Sequence, residues 1–213
     1  MAIGFWSGAA MRQRVVALEE RWFDRTRHVQ TAGNVRRDVT KIVGEWRDSE
    51  MYVPVRVANA AAALREVPVR DHAAYTFVDI GSGKGRVLFL AAEYPYRAVR
   101  GVEFSDALHA AAVENIAQYR YGGQRCRDIA SLHDDAAAYE FPAGNLVVML
   151  FNPFGPVVMG KMVENLARSL EASPRHVVIV LVSPWHWEQV AGMKGMRRVI
   201  ASPRYHLYEV GGV

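Results

Sequence analysis

Three residues, Ser202-Pro203-Arg204, are all that separates two strand-like runs, Arg197–Ala201 and Tyr205–Val210, near the end of a 213-residue chain. Parallel strands need a crossover of roughly a dozen residues, so this link forces an antiparallel hairpin. Upstream, the chain follows the opposite rule. Short β-branched or apolar runs at Thr76–Ile80, Ala98–Glu103, Leu146–Phe151 and His176–Val182 alternate with helical stretches near Gly85–Tyr94, Ser105–Arg120 and Val157–Glu171. One more strand is expected within Arg125–Leu132, and a short helix over Trp185–Met193. Alternating strands and helices imply helices on both faces of a mostly parallel sheet. The expected fold is α/β: a doubly wound, mostly parallel seven-stranded sheet that ends in an antiparallel hairpin, with an N-terminal helical extension.

The extension is read from periodicity. Met11, Val15, Leu18 and Trp22 recur at helical spacing with arginines between them, which predicts an amphipathic helix that packs by this stripe. A second helical stretch is expected over Val35–Trp46, and a third from Pro54, an allowed first helical position, through Val57–Arg65. Residues 1–70 are expected to form a helical cap within the same domain as a core over residues 71–213.

Composition excludes several classes. The single cysteine, Cys126, rules out a disulfide framework, and no histidine pair has metalloprotease spacing, so no metal is expected. The N-terminal apolar residues lack a preceding positive charge and no run approaches about 18 apolar residues, so a cytoplasmic protein without membrane contact is expected. The net charge of +4 is local: residues 1–47 hold nine Lys/Arg and five Asp/Glu, while the other 17 basic and 17 acidic residues cancel. No dense basic run occurs, so a solvated helix face accounts for this better than a nucleic-acid surface.

Chemistry concentrates after the first strand. Phe77-Val78-Asp79-Ile80-Gly81-Ser82-Gly83-Lys84-Gly85-Arg86 leaves a buried strand, turns on alternating glycines and enters a helix. Glycines let a ligand lie against backbone at the carboxyl end of a strand, where open α/β sheets bind ligands. The spacing fits neither the dinucleotide Gly-x-Gly-x-x-Gly pattern nor a phosphate-binding P-loop. Asp79 also sets a carboxylate where a pyrophosphate would approach, which favours a ligand positively charged near the loop, such as a sulfonium bearing an ammonium group. Glu103 ends the next strand, 22 residues beyond Gly81, where an acidic side chain can accept hydrogen bonds from ribose hydroxyls. Phe104 can pack on an adenine face, and a carboxylate of Asp134-Asp135-Ala136 can accept from the adenine amino group, with Asp135 preferred.

The fourth strand ends in Phe151-Asn152-Pro153-Phe154. An Asn delivered to the crevice, followed by Pro and Phe, can accept N–H bonds from an amine and aim its lone pair while the ring packs beside it.

These residues, in this order and spacing, resemble a class I S-adenosylmethionine-dependent methyltransferase, over a span from about Tyr52 to the C-terminal hairpin. Asp-Ile-Gly-Ser-Gly-Lys-Gly-Arg with the upstream Tyr52-Val53-Pro54 is similar, more narrowly, to the seven-strand lysine methyltransferases, both the non-SET histone-lysine type and the mitochondrial lysine-methylating type. The resemblance implies S-adenosylmethionine as cofactor and S-adenosylhomocysteine as product. Gly81, Ser82, Gly83 and Gly85 would line its methionine and ribose portions, Asp79 would anchor the loop or the amino group, Glu103 would hold the ribose, and Phe104, Asp135 and Ala136 would meet the adenine. Tyr52 would close the pocket from the N-terminal side. Asn152-Pro153-Phe154 resembles the Asn/Asp-Pro-Pro-Tyr/Phe motif of amino-group methyltransferases, with Phe154 replacing the second proline.

The expected activity is N-methylation of an amine such as a protein lysine. Its rivals are a small-molecule O- or N-methyltransferase, an RNA-base methyltransferase and a non-catalytic S-adenosylmethionine-binding protein. No catalytic base is assigned, and Lys84 and Arg86 are given no catalytic role. Trp185, His186 and Trp187 are read as core or lid packing.

Overall fold

A computed structural model describes residues 8–33, 53–151, 154–184 and 186–211. The second expected helix, Val35–Trp46, lies outside them. Strands β1 (Tyr75–Ile80), β2 (Ala98–Glu103), β3 (Ile129–His133), β4 (Asn145–Phe151), β5 (Val177–Val182), β6 (Arg197–Ala201) and β7 (Tyr205–Val210) form one seven-stranded sheet in the order β3-β2-β1-β4-β5-β7-β6. The first five pair in parallel, and β7 inserts antiparallel between β5 and β6. The hairpin and the doubly wound sheet are therefore as expected, with identical bounds for β2, β6 and β7.

The helices are α1 (Gly8–Arg27), α2 (Val57–Arg65), α3 (Arg86–Ala91), α4 (Asp106–Gln118), α5 (Pro156–Ala172) and α6 (Trp187–Ala191). Because strand side chains alternate between faces, the sheet separates two cores. Phe77, Val99, Val147, Met149, Val178 and Val180 pack with Phe23 of α1, Leu64 of α2, Phe89 of α3 and Tyr119 after α4. Val78, Ile80, Val102, Val148, Leu150 and Ile179 pack with Met159, Met162 and Leu166 of α5 and Val190 of α6. Burial on both faces explains why the central strands read as continuous apolar runs.

Two expectations about the N-terminal part are corrected. The α1 stripe faces outward among the described residues: Met11 is 66% exposed and Leu18 65%, with Val15 and Trp22 similar. A parallel ridge of the same spacing faces the body instead, Val16, Glu20, Phe23 and Arg27, of which Phe23 is fully buried. Its hold is largely polar. The buried Arg27 guanidinium lies 4.2 Å from the Phe23 ring and 4.1 Å from that of Tyr121, and pairs with Glu93. The helix expected from Pro54 starts at Val57, because Arg56 is extended with φ −62° and ψ 129°. No helix of the described residues is long and apolar enough to cross a membrane.

Candidate functional site

The carboxyl ends of β1 and β2 meet beneath a short hook of backbone. The Gly81 and Ser82 amides both donate to the Val102 carbonyl, at 2.9 and 3.0 Å, which draws the loop over the end of β2. The Gly85 amide then donates to the Ser82 carbonyl at 2.9 Å and closes the turn into α3. Gly85 has φ +88°, a left-handed conformation that glycine adopts without strain.

Gly101 has a different reason to be glycine. It sits inside β2, and a Cβ there would come within 2.6 Å of Ser82 Oγ and 2.9 Å of Leu88 Cδ1. A glycine interior to a strand signals such a close approach. It lets the glycine loop lie on the sheet.

Glu103 is held from two sides. Its Oε2 accepts the Gly83 amide at 2.7 Å and its Oε1 accepts the Ser105 amide at 2.9 Å. Ser105 in turn caps α4 through the Leu108 amide. Burial raises the Glu103 carboxyl above its usual range, opposed by these backbone donors. Asp79, 3% exposed at the neighbouring strand end, is pushed up to about 8 by burial first and by the Glu103 charge second. Ser82 Oγ and Arg86 Nη2 are buried with no hydrogen-bond partner among the described residues.

The outer residues are more open. Phe104 is half-buried, and its carbonyl lies 3.0 Å from His133 Nε2. Asp135 is exposed and accepts the Ala137 amide at Oδ1, while Ala136 is buried in the α5-side core. Phe154 belongs to that same core, 8% exposed. Tyr52, Asn152, Pro153 and Trp185 lie outside the described residues. Ser183 and His186, which flank Trp185 beyond β5, have φ of +52° and +55°, uncommon for residues with a side chain. Trp187 packs partly against the α5-side core, its ring edge-on to His206. The structure thus brings Asp79, the glycine loop and Glu103 together at the carboxyl ends of β1 and β2, with Phe104 beside them.

The donor set suits a cation attached to a ribose better than a phosphate. Buried carboxyls are poor partners for a pyrophosphate, whereas a positive group near Asp79 would favour its ionised form and displace the proton it holds. Each Glu103 oxygen takes one backbone N–H and keeps lone-pair capacity for a hydroxyl donor.

No family model and no curated protein matches the chain. Solved structures do resemble it. A predicted N6-adenine-specific DNA methylase from Listeria monocytogenes is 16% identical, with TM-score 0.56 over 75% of this chain and 52% of that one. This chain thus spans about half the length of that protein. The PH0226 protein from Pyrococcus horikoshii is 14% identical, with TM-score 0.53 over 74% of this chain and 90% of that one. An RNA methyltransferase from Salinibacter ruber, solved with S-adenosyl-L-homocysteine, is 19% identical, with TM-score 0.50 over 74% of this chain and 92% of that one. The likeness is one of fold.

Proposed function

We propose that the protein is an S-adenosylmethionine-dependent methyltransferase. The observation that carries this reading is the grip of the Gly83 and Ser105 amides on Glu103, beside the buried Asp79, at the carboxyl ends of adjacent parallel strands. The Salinibacter likeness, to a methyltransferase holding S-adenosyl-L-homocysteine, supports it.

When bound, S-adenosylmethionine supplies an electrophilic methyl group on a cationic sulfur. The chain's own residues bind and orient. Asp79 favours the positive methionine end, Gly81, Ser82, Gly83 and Gly85 let it lie against backbone, and Glu103 accepts from the ribose hydroxyls. Phe104, Ala136 and Asp135 serve the adenine, and Tyr52 closes the N-terminal side. Residues 1–70 act as a cap on the core over 71–213.

The acceptor we propose is an amine, such as a protein lysine, aimed by Asn152, Pro153 and Phe154. An in-line displacement needs a neutral nucleophile about 3–3.5 Å from the methyl carbon, so positioning supplies much of the rate. A lysine ammonium must first lose a proton, which a dry, carbonyl-lined channel favours by disfavouring the charge.

Calorimetric titration with S-adenosylmethionine and S-adenosylhomocysteine, with NAD and ATP as controls, tests the cofactor. Selective micromolar binding is expected, and preference for NAD or ATP would overturn the reading. A labelled-methyl screen over proteins, small amines and RNA then tests the acceptor. Transfer to RNA alone would replace the amine proposal, and tight binding without transfer to any acceptor would point to a non-catalytic binding protein.

A further inference from the structure

Arg86 is the first residue of α3 and directly follows the glycine loop, yet its side chain is only 2% exposed. Its Nε donates to Thr31 Oγ1 at 2.9 Å, and its Nη1 donates to Glu20 Oε1 and to the Val55 carbonyl, both at 2.8 Å. The three partners come from three separate places: α1, the segment that follows it, and the approach to α2. Burying a guanidinium is costly unless its partners are in place, and an apolar side chain fills a core at lower cost. The arginine therefore does something that packing alone does not require.

The segment after α1 is also fixed by other bonds, to α1 itself and to the glycine loop. Asp24 accepts from the Thr31 and Ala32 amides at 2.8 and 2.9 Å and from the Thr31 hydroxyl at 2.6 Å. The buried Asn115 of α4 accepts the Gln30 amide at 2.7 Å and donates to the Lys84 carbonyl at 3.0 Å. Lys84 Nζ donates to the Ala32 carbonyl at 3.1 Å. Residues 84–86 of the loop and residues 30–32 of the N-terminal segment are thus joined at several points.

We propose that Arg86 is a positioning residue that couples the ligand affinity of the glycine loop to the docking of residues 8–33. The inference rests on the reading of that loop as the cofactor site. Displacing the guanidinium displaces the first residue of α3, and with it the turn closed by the Gly85 amide on the Ser82 carbonyl. Linkage is reciprocal: the factor by which docking raises cofactor affinity is the factor by which cofactor favours docking.

The test uses the full chain and its Glu20→Gln variant, which keeps the size of the side chain and removes the charge facing Arg86, with Arg86→Lys as a second variant. Two quantities are read: the Kd for S-adenosylmethionine by calorimetry, and amide hydrogen exchange at residues 30–32 with and without that ligand. In the wild type, ligand is expected to slow exchange at residues 30–32. In Glu20→Gln, Kd is expected to rise about 5–20-fold, the ordinary size of a coupling between sites, with faster exchange at residues 30–32 and native circular dichroism. The coupling is overturned if ligand binds the wild type without slowing exchange at residues 30–32, or if Glu20→Gln frees the segment and leaves Kd unchanged. No binding to the wild type would overturn the cofactor reading and the coupling together, an outcome distinct from either.

Discussion

The Gly83 amide donates to Glu103 Oε2 at 2.7 Å, so the middle of the glycine loop and the end of β2 share one carboxylate. The Ser105 amide occupies the other oxygen and carries the same anchor to the start of α4. In Glu103→Gln the shape survives, but one amide then faces an NH2 group and both lose an ionised acceptor. Hydrogen bonds to charged groups contribute about 1.5–3 kcal/mol, so S-adenosylmethionine affinity is expected to fall roughly 10–100-fold in calorimetry. An unchanged Kd would remove Glu103 from the site.

Asp79 makes stability depend on pH. Its folded value of about 8 stands above its ordinary 3.8, so between these values the folded protein holds a proton that the unfolded chain has released. Stability from this group is present at low pH and is lost as pH rises through that window. Denaturant melts of the ligand-free protein should show that decline, and Asp79→Asn should flatten it. A cationic ligand beside Asp79 expels the proton, so affinity should rise with pH over the same range. Titration in two buffers of different ionisation heat should detect about one proton released. Release that persists in Asp79→Asn would assign the proton elsewhere.

Gly101→Ala would place a methyl group 2.6 Å from Ser82 Oγ. Overpacking of this kind typically costs about 1–3 kcal/mol, and here it also lifts the loop that carries Gly83. Urea melts should show the loss, and Ser82→Gly should restore part of it in the double variant, with Leu88 accounting for the remainder. Strict additivity of the two substitutions would mean that the contact does not matter.

The outward stripe of α1 makes a contrary prediction to its pattern. Leu18 and Trp22 stand at helical spacing like core residues, yet both are exposed. Leu18→Glu should change stability by less than about 0.5 kcal/mol in a urea melt, as ordinary surface substitutions do. A loss of core size, several times that, would show the stripe to be covered in solution.

The parts of this molecule legible in the sequence are those that local rules decide. The Ser202-Pro203-Arg204 link can only turn back on itself, and its two strands fall where their patterns begin and end. The loop from Asp79 to Gly85 was marked by its glycines, and Glu103 by its place at the next strand end. What stayed hidden depends on partners distant in sequence. Periodicity identifies an apolar line on α1 without saying which surface it meets, and the docked face was decided by Glu20, Phe23, Asp24 and Arg27 against the core, Thr31 and Ala32. Pro54 permits a helix to start, but the Val55 carbonyl is taken by Arg86 and the chain is still extended at Arg56, so the helix begins at Val57. Arg86 itself carries no local signal of burial, because an arginine after a glycine turn reads as a surface residue.

The sheet's last strand is also its guard against self-association. Among the described residues β6 ends the sheet beyond β7, and the outer backbone groups of such an edge strand offer a template to any other extended chain. Its exposed residues include Arg197 and Arg198, and its register slips between Arg198 and Ile200. Charge and irregularity together deny an incoming strand both a neutral surface and a continuous row of donors and acceptors. The edge that closes the hairpin side of the sheet is thus charged and irregular, in contrast to the long apolar strands at its centre.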